Sequence, residues 1–266
     1  MIDTHSQPDE YAPCRACAVV HRLAGALLVA ATALFCAVAW IEPGTLHAQL
    51  PVTSGIGFNT SVALSLAGLA LLLPRARVFL GGLVAAIGAA VLAQYLLGWM
   101  PSDGPWRLLI NVHRSMAPWP GRMAPLTAFS MVCAGLALAR LDRARGIVEQ
   151  VLLQVAPGLI LATAVGGLLN YSLEGMLFAA TLDRYAVMRP PTTLALCVFV
   201  AGYVAALAET AWFRRFYAAR AERQVLAIGL IGGVAALLLA GAASLALLGR
   251  QMQQTVEEEL ARSVQG

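Results

Sequence analysis

The sequence contains no lysine; all 18 of its strongly basic side chains are arginines. A retinal-type Schiff base needs a lysine amine, so that chemistry is excluded even though apolar segments dominate the chain. Charge of either sign is scarce, at 12% of residues against about 25% in soluble proteins. The apolar blocks are nearly free of ionisable groups: Glu149, Glu174 and Glu209 stand at or just beyond block ends. That placement argues against a proton or ion pump, which usually carries acids or histidines at bilayer depth. The histidines are His5, His21, His47 and His113, and no pair of them is placed to hold a haem between helices. P-loop, nucleophile-elbow and zincin motifs are missing as well. The expectation is a protein that is not an enzyme and carries no cofactor. The net charge of +4 is too modest to argue for a nucleic-acid partner.

Cysteine use is equally restrictive. Of Cys14, Cys17, Cys36, Cys133 and Cys197, three lie inside apolar blocks, which argues against a disulfide framework. Cys14-x-x-Cys17-x-x-x-His21 has a metal-like spacing. Its plainer reading is a reduced dithiol beside a helix, and no metal is expected there.

What the chain does have is apolar length: 59% of its residues are hydrophobic, and its mean hydropathy is +0.74. Seven blocks reach the length of about 17 to 25 residues that a spanning helix needs, near 18–41, 56–73, 78–98, 123–139, 150–170, 190–209 and 224–248. The first is too long for a signal-peptide core, and six more follow it. The fold expected is all-α, a polytopic bundle of seven transmembrane helices. Residues 1–17 would form a cytoplasmic tail, 18–248 the membrane domain and 249–266 an amphipathic helical tail. Arginines orient the bundle. Arg15, Arg22, Arg75, Arg77, Arg140, Arg143, Arg145, Arg214, Arg215, Arg220 and Arg223 fall on one side, 11 of the 18, which should be the cytoplasm of a bacterial inner membrane. That places the N-terminus inside and the C-terminus in the periplasm. Trp40, Trp99, Trp106 and Trp119 fall at outer ends or in an outer loop, as an interfacial belt requires. Within that loop Leu109, Val112 and Met116 share one face of a short surface helix.

Three stretches resemble one another: "IGFNTSVALSLAGLALLLPR", "RMAPLTAFSMVCAGLALAR" and "MRPPTTLALCVFVAGYVAAL". Thr60, Thr127 and Thr192 begin the second, fourth and sixth blocks, 67 and then 65 residues apart. Asn59 precedes the first of these threonines; Pro125 and Pro190 precede the other two. Proline suits a first helical turn, and threonine there could satisfy an orphan backbone N–H. We read three direct hairpin repeats followed by a seventh helix. That last helix continues past the membrane with an apolar stripe, Leu248, Met252, Val256, Leu260 and Val264. Such a stripe suits a homodimer mate, a following domain or a partner protein. Gln94-Tyr95 and Asn170-Tyr171 sit near the outer ends of the third and fifth blocks. They read either as helix glue or, with His113, Arg114, Glu174, Asp183 and Arg184, as the lining of an outward-facing ligand pocket.

The repeat "MAPLTAFSMVCAGLAL", with Asn59-Thr60 in the first copy and "LAQYLLGW" beside it, resembles a motif of the N-terminal membrane regions of bacterial sensor histidine kinases and diguanylate cyclases. The resemblance covers about residues 20 to 248. It implies a membrane-embedded sensory input module for signal transduction, passing a stimulus through its last helix. The chain departs from that family in carrying no phosphoacceptor helix, ATP-binding glycine box or cyclase loop, as a fragment or a partner-dependent protein would. Two other readings are a permease for a neutral or apolar solute and a structural anchor subunit.

Overall fold

The computed structural model describes residues 15–41, 58–97, 123–172, 188 and 190–217. Among them the regular structure is helical, with no strand. Six long or medium helices follow one another: α1 (Arg15–Ile41), α2 (Phe58–Leu72), α3 (Arg77–Leu96), α4 (Pro125–Arg140), α5 (Ile147–Ser172) and α6 (Pro190–Glu209). A short α7 (Ala211–Tyr217) continues beyond a break at Thr210. Proline marks several boundaries. Pro74 forces Leu73 out of the helical region, to φ −115° and ψ 81°, and so ends α2. Pro125 and Pro190 open α4 and α6, where a missing N–H costs nothing. Pro157 is accommodated inside α5, which runs unbroken past it.

Consecutive helices pack in turn from α1 to α6, and α6 returns to pack on α1. Side-chain and backbone pairings show each neighbouring pair to be antiparallel. Thr32 meets Ser65 while Gly25 meets Gly68; Ser130 meets Thr163 while Arg140 meets Glu149. Inside the ring, α2 also touches both α4 and α6. No α2 residue from 59 to 72 is exposed. Leu28, Leu64, Leu71, Leu138, Ile160, Leu196, Phe199 and Tyr203 fill the common core.

Four helical segments are long and apolar enough to cross a membrane: Arg15–Phe35, Pro74–Leu96, Ile147–Leu168 and Pro190–Glu209. The blocks expected at 56–73 and 123–139 fold as helices of 15 and 16 residues. At 1.5 Å per residue α4, bounded by described residues at both ends, extends only about 24 Å, short of the roughly 30 Å hydrocarbon core. The residues directly before Phe58 of α2 lie outside the described set. The seventh block at 224–248 and the tail at 249–266 lie outside the described residues, and so does most of the 1–17 segment.

Lipid tails are as apolar as leucine, so helices in a bilayer associate through close packing and polar contacts rather than through hydrophobic burial. The α3–α4 interface uses Gly81, Ala85 and Gly88 against Ala128, Val132 and Gly135. A methyl on Gly135 would run into the backbone nitrogen of Ala85 and lie 2.5 Å from the carbonyl oxygen of Gly81. On α1 and α2, Gly25 and Gly68 face each other so closely that a Cβ on either would lie 2.8 Å from the other's carbonyl oxygen. Backbone atoms cannot rotate aside as side chains do. Gly135→Val is therefore expected to lower the thermal midpoint in detergent by more than ordinary overpacking, which costs about 1–3 kcal/mol. Gly82→Ala, whose methyl meets nothing within 4 Å, should leave the midpoint unchanged. Equal midpoints for the two variants would refute close backbone contact between α3 and α4.

Candidate functional site: the ionic clasps at the arginine-rich end

The expected outer-face residues divide into placed and unplaced. Tyr95 and Gln94, near the end of α3, are half-buried. The Tyr95 hydroxyl donates to the carbonyl oxygen of Met123 at 3.1 Å. It thereby ties the end of α3 to the start of α4, which is the helix-glue role. Asn170 and Tyr171 belong to the last turn of α5, with side chains outside the described set. His113, Arg114, Glu174, Asp183 and Arg184 also lie outside the described residues.

The helix-start residues are placed. Thr60, Thr127 and Thr192 are all buried, and Asn59 is half-buried. Pro125 is the first residue of α4; the cap position before it is Ala124, and no side chain caps there. The N-cap duty considered for threonine is thus not performed at the cap of α4, because Thr127 stands two positions inside the helix.

At the opposite end, four features meet that apolar periodicity does not announce. The first is His21, buried near the start of α1. Its Nδ1 lies 3.2 Å from the carbonyl oxygen of Cys17 and 3.3 Å from Oε2 of Glu209, the last residue of α6. Both neighbours are acceptors, so Nδ1 must carry a proton, in the Nδ1–H tautomer or the imidazolium. The other carboxylate oxygen of Glu209, Oε1, is buried with no hydrogen-bond partner among the described residues. Cys17 and His21 thus share one face of α1, with Cys14 outside the described residues. Among the described residues no group of three or more His, Cys, Asp or Glu side chains is arranged to hold a metal ion.

The second is Arg77, only 5% exposed. Its Nη1 donates to both oxygens of Asp142, at 2.9 and 2.8 Å. Its Nε donates to the carbonyl oxygen of Ala70 at 3.2 Å. One guanidinium therefore joins the end of α2, the start of α3 and the α4–α5 turn. The third is Tyr203, fully buried on α6, whose hydroxyl donates to the carbonyl oxygen of Leu153 on α5 at 3.0 Å. The fourth is Trp212 on α7, whose indole N–H donates to the carbonyl oxygen of Leu141 at 2.9 Å. Thr210 closes the end of α6 by donating to the carbonyl of Leu207 at 2.7 Å. The junction from α6 to α7 is thus held by α1 through His21 and by the α4–α5 turn through Leu141.

None of these clasps follows from the hydropathy pattern. Two signals point toward them. His21 and Glu209 are single polar residues at the ends of otherwise apolar blocks, and Asp142 is the lone acid in "ARLDRAR". A further regularity lies in the small residues. Ala67-Gly68, Ala134-Gly135 and Ala201-Gly202 recur at intervals of 67 residues, and each of these glycines meets a neighbouring helix at a distance no side chain would allow.

Asp142 is half exposed while Arg77 is buried, so the two halves of their bridge should differ in cost. Asp142→Asn leaves a buried cation short of its counter-charge and should destabilise by about 2 kcal/mol, in the range for a hydrogen bond to a charged group. Arg77→Met should cost less, and the double variant less than the sum of the two. A double-mutant cycle in detergent unfolding checks this; strictly additive losses would remove the bridge as an energetic contact. Comparison of the chain with protein families, with curated proteins and with solved structures returned no match.

Proposed function

We propose that this chain is a membrane-embedded sensory input module of a bacterial signal-transduction protein, without catalytic activity of its own. In this reading a stimulus reaching the outer face shifts the packing of the helix pairs. The last described helices, α6 and α7, then carry the shift toward a following segment, domain or partner. The supporting observation is the α6–α7 junction. Across the break at Thr210, the end of α6 is held by α1 through His21–Glu209 and the short α7 is held by the α4–α5 turn through Trp212–Leu141. Movement of either partner would therefore be felt at the end of α6 and the start of α7. Two packing states biased by a ligand or a membrane property are what such a device requires. The apolar helices and the arginine-rich end favour placement in the inner membrane with that end in the cytoplasm. Dimerisation through the apolar stripe of residues 248–264 belongs to the same proposal.

Two measurements test it. With the five cysteines replaced by serine, spin labels at Leu23 and Ala211, both exposed, report the α1-to-α7 separation. His21→Asn and Glu209→Leu should each broaden or shift that distance while helical content stays constant. An unaltered distance in both variants would remove the coupling role. Topology reporters form the second test. Fusions after Gly146 and Tyr217 should be active only in the cytoplasm, and fusions after Arg114 and Arg184 only in the periplasm. The reverse pattern would overturn the assignment of sides, and solute uptake by vesicles carrying the chain would replace the sensory reading with a permease.

A further inference from the structure

The arginine-rich end holds more positive charge than its acids neutralise. Three acids fall among the described residues, and each is engaged. Asp142 holds Arg77, and Glu209 faces His21. Glu149 accepts from the Arg140 side chain at 3.1 Å and from the Arg145 backbone N–H at 3.2 Å. The side chains of Arg75, Arg143 and Arg145 are exposed and take part in none of these ion pairs.

The same bridge that neutralises Arg77 brings these three together. Arg75 lies in the tight turn Pro74–Ala76, two residues before Arg77. Arg143 and Arg145 follow Asp142 in the α4–α5 turn, where the Arg143 N–H donates to the carbonyl of Arg140 at 2.9 Å. A bidentate contact between residues 77 and 142 therefore sets the two turns side by side, with one exposed arginine on one turn and two on the other. Just beyond the arginines, toward the helix bodies, the surface turns apolar. Phe79, Leu136, Ile147 and Val148 are between 56% and 74% exposed. Exposed arginines on two adjoining turns, followed along the helices by exposed aliphatic and aromatic side chains, match the polarity profile of a phospholipid, with phosphate above acyl chain. Arginine suits the phosphate in particular, because its planar fork can bond two oxygens at once.

We propose that Arg75, Arg143 and Arg145, gathered by the Arg77–Asp142 bridge, form a binding site for the phosphate headgroup of an anionic phospholipid. The lipid's chains lie against the neighbouring apolar faces of α3, α4 and α5. The site rests on the membrane-spanning length of α3 and α5 and on the apolar surface of α4, not on the sensory reading, so either can fail without the other.

The test uses the full chain in a zwitterionic detergent, titrated with dioleoylphosphatidylglycerol or dioleoylphosphatidylcholine, with binding read by native mass spectrometry. Phosphatidylglycerol should bind in preference. The variant Arg75→Gln/Arg143→Gln/Arg145→Gln removes only exposed side chains, and circular dichroism confirms its helicity. Each arginine near an anionic lipid surface contributes roughly fivefold in affinity, so the triple variant should lose on the order of a hundredfold. A control, Arg15→Gln/Arg22→Gln, removes exposed charge from the start of α1 and should retain most of the binding. Equal binding of the two lipids, or an equal loss in the control and the triple variant, would overturn the site. Competition by inorganic phosphate at concentrations matching the lipid would overturn the lipid assignment in favour of a soluble phosphate.

Discussion

A guanidinium is among the most costly groups to enclose in an apolar bundle, and Arg77 is enclosed almost completely. It is held there only because an acid from a distant turn and a carbonyl from the preceding helix converge on it. That requirement ties three things together: the end of α2, which Pro74 terminates, the start of α3, and the placement of the α4–α5 turn beside both. The remaining polar contacts at this end repeat the principle with weaker groups. His21 brings a ring N–H to Glu209, Tyr203 brings a hydroxyl to a carbonyl of α5, and Trp212 brings an indole N–H to the α4–α5 turn. Where water is scarce each donor must find an acceptor within the protein, so these contacts decide which helices may be neighbours.

Away from that end, cohesion changes character. Close approach of backbones at Gly25–Gly68 and at Gly81–Gly135 takes over. Paired hydroxyls, Thr32 with Ser65 and Ser130 with Thr163, each at 2.6 Å, add polar contacts between helices. Thr32 and Thr163 also donate to carbonyls within their own helices, at 2.6 and 2.8 Å, so neither polar group depends wholly on its partner helix. The bundle is therefore fastened with charge at one end and with shape along its length. A shift along the helices could leave the shape contacts largely intact while straining the charged ones.

Much of this architecture was legible because apolar length and proline are local properties. Residues 190–209 were expected as a helix and coincide with α6; the 78–98 and 150–170 blocks differ from α3 and α5 by only a few residues. The four helices long enough to span were all among the seven expected. The enclosure of α2 was not legible. Hydropathy reads an apolar helix the same way whether lipid or protein surrounds it, and the segments 56–73 and 78–98 differ little in composition. The buried pairs were missed for a related reason. His21 and Glu209 are 188 residues apart in sequence, and only the return of α6 to α1 makes them neighbours. Gln94 and Tyr95 lie near a helix end as expected, and the hydrogen bond from Tyr95 to the Met123 carbonyl, 28 residues on, is not legible from sequence.

The wrapping of α2 has a consequence for how the chain is made. Helices enter the bilayer in order of synthesis, and α2 emerges before α3 to α6. Its final surroundings include α6, where Leu71 packs against Gly202, a residue translated 131 positions later. Until then one flank of α2 must face lipid or the insertion machinery. Its first described turns carry Asn59, Thr60 and Ser61. The early intermediate is thus a polar-started helix with one flank uncovered, and the arrival of α6 covers it. Assembly order and final burial are at odds at this one helix, so the half-translated chain depends on protection that the finished bundle no longer needs.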